Sequence, residues 1–279
     1  MTTPQLIAFD FDGVICDGLI EYFQTAWKAY CQLFNPSSNQ PPIGLAERFY
    51  PLRPVIETGW EMPVLVEALV KGATDDQVIA EWPEMALPYL EAAKLTKTQS
   101  VQMLDGVRDQ WIQQDLSDWL ALHRFYPGII ERLGELLAGE IPLYIVSTKE
   151  GRFIKALLGQ SGLDFPTDRI FGKEVKRPKY ETLRLLKQKH GVESIWFIED
   201  RLPALKAVAE QPDLSEIQLF LADWGYNLEP DRETARQSSR IHLLSLEEVV
   251  QKFDRWSLIP CICRASLVRS SMGHYIQLS

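Results

Sequence analysis

The sequence predicts an α/β protein: a doubly wound parallel sheet, with an all-helical subdomain inserted between its first and second strands. Three observations carry this. Four short runs, Leu6 to Phe9, Ile141 to Val146, Ile195 to Ile198 and Ile217 to Leu221, are nearly continuous in apolar residues. Strands covered on both faces read this way, whereas half-exposed strands alternate. Helical patterns punctuate the later runs, over Gly128 to Leu137, Gly151 to Gln160 and Tyr180 to His190, and strand alternating with helix is the signature of parallel units. Between about Cys16 and His123 the rhythm breaks: roughly a hundred residues carry only helix-like periodicity, far more than a loop would need.

In chain order, the first strand runs directly into Asp10-Phe11-Asp12-Gly13. Glu21 to Leu33, Pro63 to Val70 and Val101 to Leu122 then read as helices of the insert, and Asn35 to Pro42, rich in Pro, Ser and Asn, as a loop. The expected organisation is a catalytic core of residues 1–16 and 124–253, a helical insert of 17–123, and an extension of 254–279 with no defensible period and no assigned role.

Composition excludes several partners. With 46% hydrophobic and 24% charged residues over 279, the chain can bury a core of ordinary size. A formal net charge of −9 argues against nucleic acid, which is bound through basic surface. No stretch has the roughly 20 apolar residues of a membrane helix, and Asp10 and Asp12 interrupt the early apolar run that a leader would need. Cys16, Cys31, Cys261 and Cys263 lack the paired spacing of a zinc site and read as reduced thiols of a cytoplasmic protein. The oligomeric state is not legible.

Ligands of parallel sheets collect at the carboxyl ends of the strands, so the residues just after each apolar run matter most. These are Asp10 and Asp12 after the first, Ser147 and Thr148 after the second, and Glu199 and Asp200 after the third, with Lys176, Arg177 and Lys179 opening the helix before the third strand. Asp10 is placed to attack phosphorus as a nucleophile. Asp12 points to the same side and can protonate a leaving oxygen and later deprotonate water. Gly13 lets the backbone turn close beneath a phosphate. Two facing carboxylate pairs need a cation, and Mg²⁺ suits oxygen ligands. Asp10, Asp200 and the Asp12 carbonyl are the expected ligands, with Glu199 either beside or behind them. Ser147, with Thr148 as its competitor, would donate to a phosphoryl oxygen, and Lys179 would screen Asp10, with Lys176 and Arg177 as rivals. Each of these residues alone also fits a bland role: a solvated turn, a helix N-cap or a surface charge. Ala222-Asp223-Trp224-Gly225-Tyr226 reads as a structural turn after the last strand.

In order, Ile7-Ala8-Phe9-Asp10-Phe11-Asp12-Gly13-Val14-Ile15, Leu143-Tyr144-Ile145-Val146-Ser147, Lys176-Arg177-Pro178-Lys179-Tyr180 and Trp196-Phe197-Ile198-Glu199-Asp200 resemble the four motifs of the haloacid dehalogenase superfamily, over about Leu6 to Phe253. Tyr126-Pro127-Gly128 and Asp223-Trp224-Gly225-Tyr226 also look like its members related to phosphoglycolate phosphatase. The resemblance implies a Rossmann-like core, a mobile helical cap, and a Mg²⁺-dependent phosphatase acting on a small phosphorylated metabolite through an aspartyl-phosphate on Asp10. Asp12 disfavours dehalogenation, since dehalogenases lack this second carboxylate; a sugar-phosphate mutase and a non-catalytic binding protein of the same fold stay open. Two departures stand out: Arg201 to Leu205 offers no second Asp after Asp200, and Pro178-Lys179 reverses the common Lys-Pro order. In the insert, Arg53, at helical spacing from Glu57 and Glu61, is expected to contact an anionic substrate.

Overall fold

The computed structural model describes residues 3–256. Six parallel strands form the central sheet: β1 (Leu6–Phe9), β4 (Leu143–Val146), β5 (Ile170–Phe171), β6 (Ile195–Glu199), β7 (Gln218–Ala222) and β8 (Ile241–Leu244), in the order β5-β4-β1-β6-β7-β8. The four expected runs are all strands of this sheet. β5 and β8 escaped notice because one is two residues long and the other, Ile-His-Leu-Leu, is an edge strand with a half-buried centre.

The apolar runs hide a period of two. Ile7, Phe9, Ile145, Trp196, Ile198 and Phe220 face one side, against helices α7 (Ile129–Ala138) and α8 (Gly151–Gln160). Leu6, Ala8, Tyr144, Val146, Phe197 and Leu219 face the other, against α9 (Lys179–His190) and α10 (Leu202–Ala209). Both faces are covered, so both sets of side chains are apolar. Two further helices, α11 (Glu229–Gln237) and α12 (Leu246–Val249), complete the layers. Strand order reverses beside β1: the chain proceeds from it to β4 and β5, then returns to its other side at β6. Such a switch point leaves a crevice at the strand ends, and Asp10, Glu199 and Asp200 stand there.

The insert carries α1 (Leu19–Phe34), α2 (Leu45–Leu52), α3 (Glu61–Val70), α4 (Asp75–Ala92), α5 (Lys97–Gln114) and α6 (Leu116–Leu120). It joins the core through two short antiparallel strands, β2 (Cys16–Asp17) and β3 (Arg124–Phe125), with Cys16 opposite Phe125. A core of its own, including Trp27, Phe49, Leu65 and Trp82, holds it together. The helix expected over Val101 to Leu122 is two helices, because Asp115 breaks it and its carboxylate accepts the Asp118 N–H at 2.9 Å to start α6. α4 was masked by Pro83 and Pro88, which each remove a backbone donor; Val78, Trp82, Ala86 and Leu90, one turn apart, bury the stripe that holds it.

Trp256 is buried against Trp196 and Phe220, with ring centroids 5.3 Å from each, so core packing continues past Phe253. The rest of the expected extension, with Cys261 and Cys263, lies outside the described residues. No helix among those described is long and apolar enough to cross a membrane.

Candidate active site

β1 delivers Asp10 into the crevice, and its amide N–H donates to the Ile198 carbonyl at 2.8 Å, which continues the sheet one step beyond the strand. Helix α9 starts after the extended Pro178, putting Lys179 in its first turn. The Lys179 Nζ lies 2.8 Å from Asp10 Oδ2 and 2.6 Å from Glu199 Oε2. Glu199 Oε1 accepts the Arg201 N–H at 3.0 Å. Asp200 Oδ2 accepts the Tyr226 N–H at 2.8 Å, while the Asn227 side chain ties the Asp200 carbonyl at 3.0 Å. The turn after β7, read from sequence as structural, therefore sets the position of Asp200.

Asp10, Glu199 and Asp200 are buried, with one oxygen of each within 4.8 Å of the others. Burial, and secondarily Glu199, push Asp10 up to about 7, with Lys179 opposing. Burial and then Asp10 push Asp200 up to about 6. Burial also raises Glu199 against the pull of Lys179, and although burial alone would lower Lys179, its two carboxylate partners raise it. Three carboxylates share one ammonium, an excess that a divalent cation would cancel. Asp10 Oδ1 is buried without a hydrogen-bond partner; an orphaned acceptor among carboxylates is the kind of group a cation satisfies. The residues fit a divalent metal.

Close packing explains two glycines. Gly13 has φ +80°, and a Cβ there would stand 2.1 Å from Asp200 Oδ2. A Cβ on Gly225 would meet Asp200 Cβ at 2.3 Å and the Gly13 carbonyl at 2.5 Å. The first strand's turn and the turn after β7 thus clamp Asp200 between them. Gly13→Ala is expected to lower stability by about 2 kcal/mol or more, since it adds left-handed strain to a clash, and to weaken divalent-metal binding; urea melts with and without metal would show both.

The remaining expected residues divide. Asp12, Thr148 and Arg53 line, with Asp10, Lys179 and Asp200, a cavity of about 320 Å³ between core and insert. Arg53 packs its guanidinium 4.7 Å from the Tyr22 ring centre and 5.2 Å from that of Tyr226. Ser147 is buried beside this cavity, its Oγ accepting the Lys149 N–H at 3.2 Å. Of the three cations, Lys179 alone reaches Asp10: Arg177 donates from Nε to Thr182 Oγ1 at 3.0 Å, and Lys176 is exposed at φ 50°.

Several participants were not legible in the sequence. Lys149 Nζ donates to Asp12 Oδ1 at 3.1 Å and lies 3.2 Å from His123 Nε2. The Trp119 carbonyl, which can only accept, faces His123 Nδ1 at 3.2 Å and so assigns the proton to Nδ1. Burial, and then Lys149, keep that imidazole neutral by lowering it to about 4. Arg201 crosses to the insert, donating to the Pro54 carbonyl at 2.7 Å as well as to the Tyr226 carbonyl at 3.1 Å. Lys149 stands two residues after Ser147, a proximity that could have marked it; Arg201 had no such signal.

Comparison with known proteins agrees with this architecture. The sequence matches the model of haloacid dehalogenase-like hydrolases over residues 4–210. No curated protein matches at a significant level. Among solved structures, a protein of Lactobacillus delbrueckii provisionally assigned as a phosphoglycolate phosphatase superposes with a TM-score of 0.58 at 17% identity, covering 86% of this chain and 94% of the other. A predicted phosphatase of Clostridium acetobutylicum gives 0.56 at 14% identity over 89% and 97%. A predicted phosphoglycolate phosphatase of Haemophilus somnus gives 0.54 at 18% over 82% and 89%. These likenesses show the fold, and the family match spans every strand-end residue from Asp10 to Asp200. The chain belongs to the haloacid dehalogenase-like hydrolases.

Proposed function

We propose that the protein is a Mg²⁺-dependent phosphatase that hydrolyses a small phosphate monoester through an aspartyl-phosphate on Asp10. The carrying observation is the Asp10 carboxylate: one oxygen is held by Lys179, the other is unpartnered, and the side chain lines a cavity of about 320 Å³. The phosphatase names of several structural neighbours support the same reaction class.

In this reading an Asp10 oxygen attacks phosphorus, and the ester P–O bond breaks as Asp12 gives its proton to the leaving oxygen. Asp12 then takes a proton from water as that water attacks phosphorus; the Asp10–phosphorus bond breaks and phosphate leaves. Lys179 binds the transferring group and Glu199 fixes Lys179. Thr148 or Ser147 donates to a phosphoryl oxygen, and Arg53 closes the cavity from the insert side, which acts as a cap. Asp10, Asp200 and the Asp12 carbonyl would hold Mg²⁺, with Glu199 adjacent. The ion would supply charge neutralisation for carboxylates and phosphate. A cytoplasmic location goes with this reading, since Cys16 and Cys31 are free thiols.

Phosphate release from p-nitrophenyl phosphate is expected to require Mg²⁺ and to stop when a chelator removes it. Undiminished release in chelator would overturn the metal assignment.

A further inference from the structure

A second cavity, of about 210 Å³, is also lined by Asp12 and is walled by both insert and core. It shares Asp12, Tyr22 and Thr148 with the cavity at Asp10. An acid that protonates the leaving oxygen must lie within hydrogen-bond reach of it, and Asp12 lines both cavities, so a leaving group bonded at that oxygen has the second cavity beside it to enter. Its volume is that of about seven liquid waters, or a group of sugar size.

The walls are charged but largely self-neutralised. Glu21 is buried, and its carboxylate accepts from Arg108 Nε at 2.8 Å, Arg108 Nη2 at 3.3 Å, the Trp119 indole N–H at 3.0 Å and the Thr25 hydroxyl at 2.7 Å. Burial opposes its ionisation, but Arg108 and the other partners outweigh that and hold it at about 2. Lys149 is paired with Asp12. Asp105 and Asp109 also line the cavity and make no salt bridge among the described residues. In all, five carboxylates of the lining face three cations, and of these Lys173, which is exposed, is the one without a carboxylate partner among the described residues.

Resting on the phosphatase reading, we infer that the enzyme acts on esters with a neutral, hydroxyl-bearing leaving group of polyol or sugar type. Glu21, by occupying Arg108, and the carboxylates of Asp105 and Asp109 exclude leaving groups that carry a carboxylate. Arg108 Nη1 donates to no partner among the described residues and keeps donors for a hydroxyl, while Asp105 and Asp109 can accept from one. The Trp119 and Phe153 rings, with centroids 4.8 Å apart, give an apolar wall for the carbon skeleton. A carboxylate placed here would meet unpaired like charges and no free buried cation. Glu21 touches no reacting atom; it is a positioning residue for Arg108.

The test is kcat/KM with Mg²⁺ for glucose phosphate and glycerol phosphate against phosphoglycolate, with p-nitrophenyl phosphate as a reference. Wild type is expected to favour the hydroxyl-bearing esters by at least about tenfold. Glu21→Gln, which frees the charge of Arg108, should shift the ratio toward phosphoglycolate by about tenfold, mainly through KM. Should that buried variant fail to fold, the exposed-side double substitution Asp105→Asn with Asp109→Asn should move the ratio the same way by a smaller factor. Wild-type preference for phosphoglycolate, or a ratio unmoved by a folded variant, overturns the inference while leaving the phosphatase reading intact. Inactivity toward p-nitrophenyl phosphate as well overturns the phosphatase reading, and this inference with it.

Discussion

Asp10→Asn is expected to abolish phosphate release, by about 10⁴-fold or more, because an amide cannot form the acyl phosphate. The same change should stabilise the metal-free protein by about 2 kcal/mol at pH 8. Asp10 is held up to about 7, above an ordinary aspartate near 3.8, chiefly by burial and then by Glu199. A group whose pKa is raised by folding binds its proton more tightly in the native state. Its contribution is present below the unfolded pKa and is lost as pH rises through the folded one. Metal-free wild type should therefore lose stability between about pH 4 and pH 7, and the Asn variant should lose less. Urea melts in chelator at several pH values measure this, and identical pH profiles for the two proteins would contradict the electrostatic account. An inactive variant that is more stable separates a residue kept for chemistry from one kept for folding.

Lys179→Met should move stability the opposite way. Its side chain is only 14% exposed, and its ammonium bridges Asp10 and Glu199 at 2.8 and 2.6 Å. Removing it leaves Asp10, Glu199 and Asp200 buried together without a counter-charge. Breaking a buried pair from one side typically costs about 3–5 kcal/mol, and turnover should fall at least about a hundredfold as the phosphoryl group loses its cation. Added Mg²⁺ should recover part of the stability but little of the turnover. Combining Lys179→Met with Asp10→Asn should cost less than the two effects added, because one of the stranded carboxylates is gone. Strict additivity would mean that the contact carries no coupling.

Much of the site could be read from sequence because the sheet does the positioning. Asp10, Glu199 and Asp200 follow apolar runs, and a parallel sheet with a switch point beside β1 brings the ends of those runs together whatever the intervening chain does. Lys179 was placed near them by the same logic, but only geometry separates it from Arg177, which turns to Thr182. The partners of Asp12 were invisible for a different reason. Lys149 is 137 positions away and meets it across the crevice, while Glu21 and Arg108 meet across 87 positions inside the insert. No local period encodes such pairs. In the fold, continuous apolar runs revealed the central strands, whereas β8 was hidden by His242 and α4 by its prolines. There, tertiary burial outweighs the local preference that a sequence reading relies on.

The short ladder formed by Cys16–Asp17 and Arg124–Phe125 returns the chain to within one strand spacing, about 4.8 Å, of where it left the core. To the central sheet, the whole helical insert is topologically equivalent to the turn of a hairpin. Loop closure across it grows slowly with chain length, and most of its apolar centre forms from contacts internal to it, while Trp111, Trp119 and Leu120 pack into the core beneath. The two halves of the crevice can therefore change by different routes: point substitutions tune the strand ends, whereas the insert's wall can be exchanged by recombination between residues 17 and 124, with the strand register undisturbed, provided the replacement keeps apolar residues where Trp111, Trp119 and Leu120 pack.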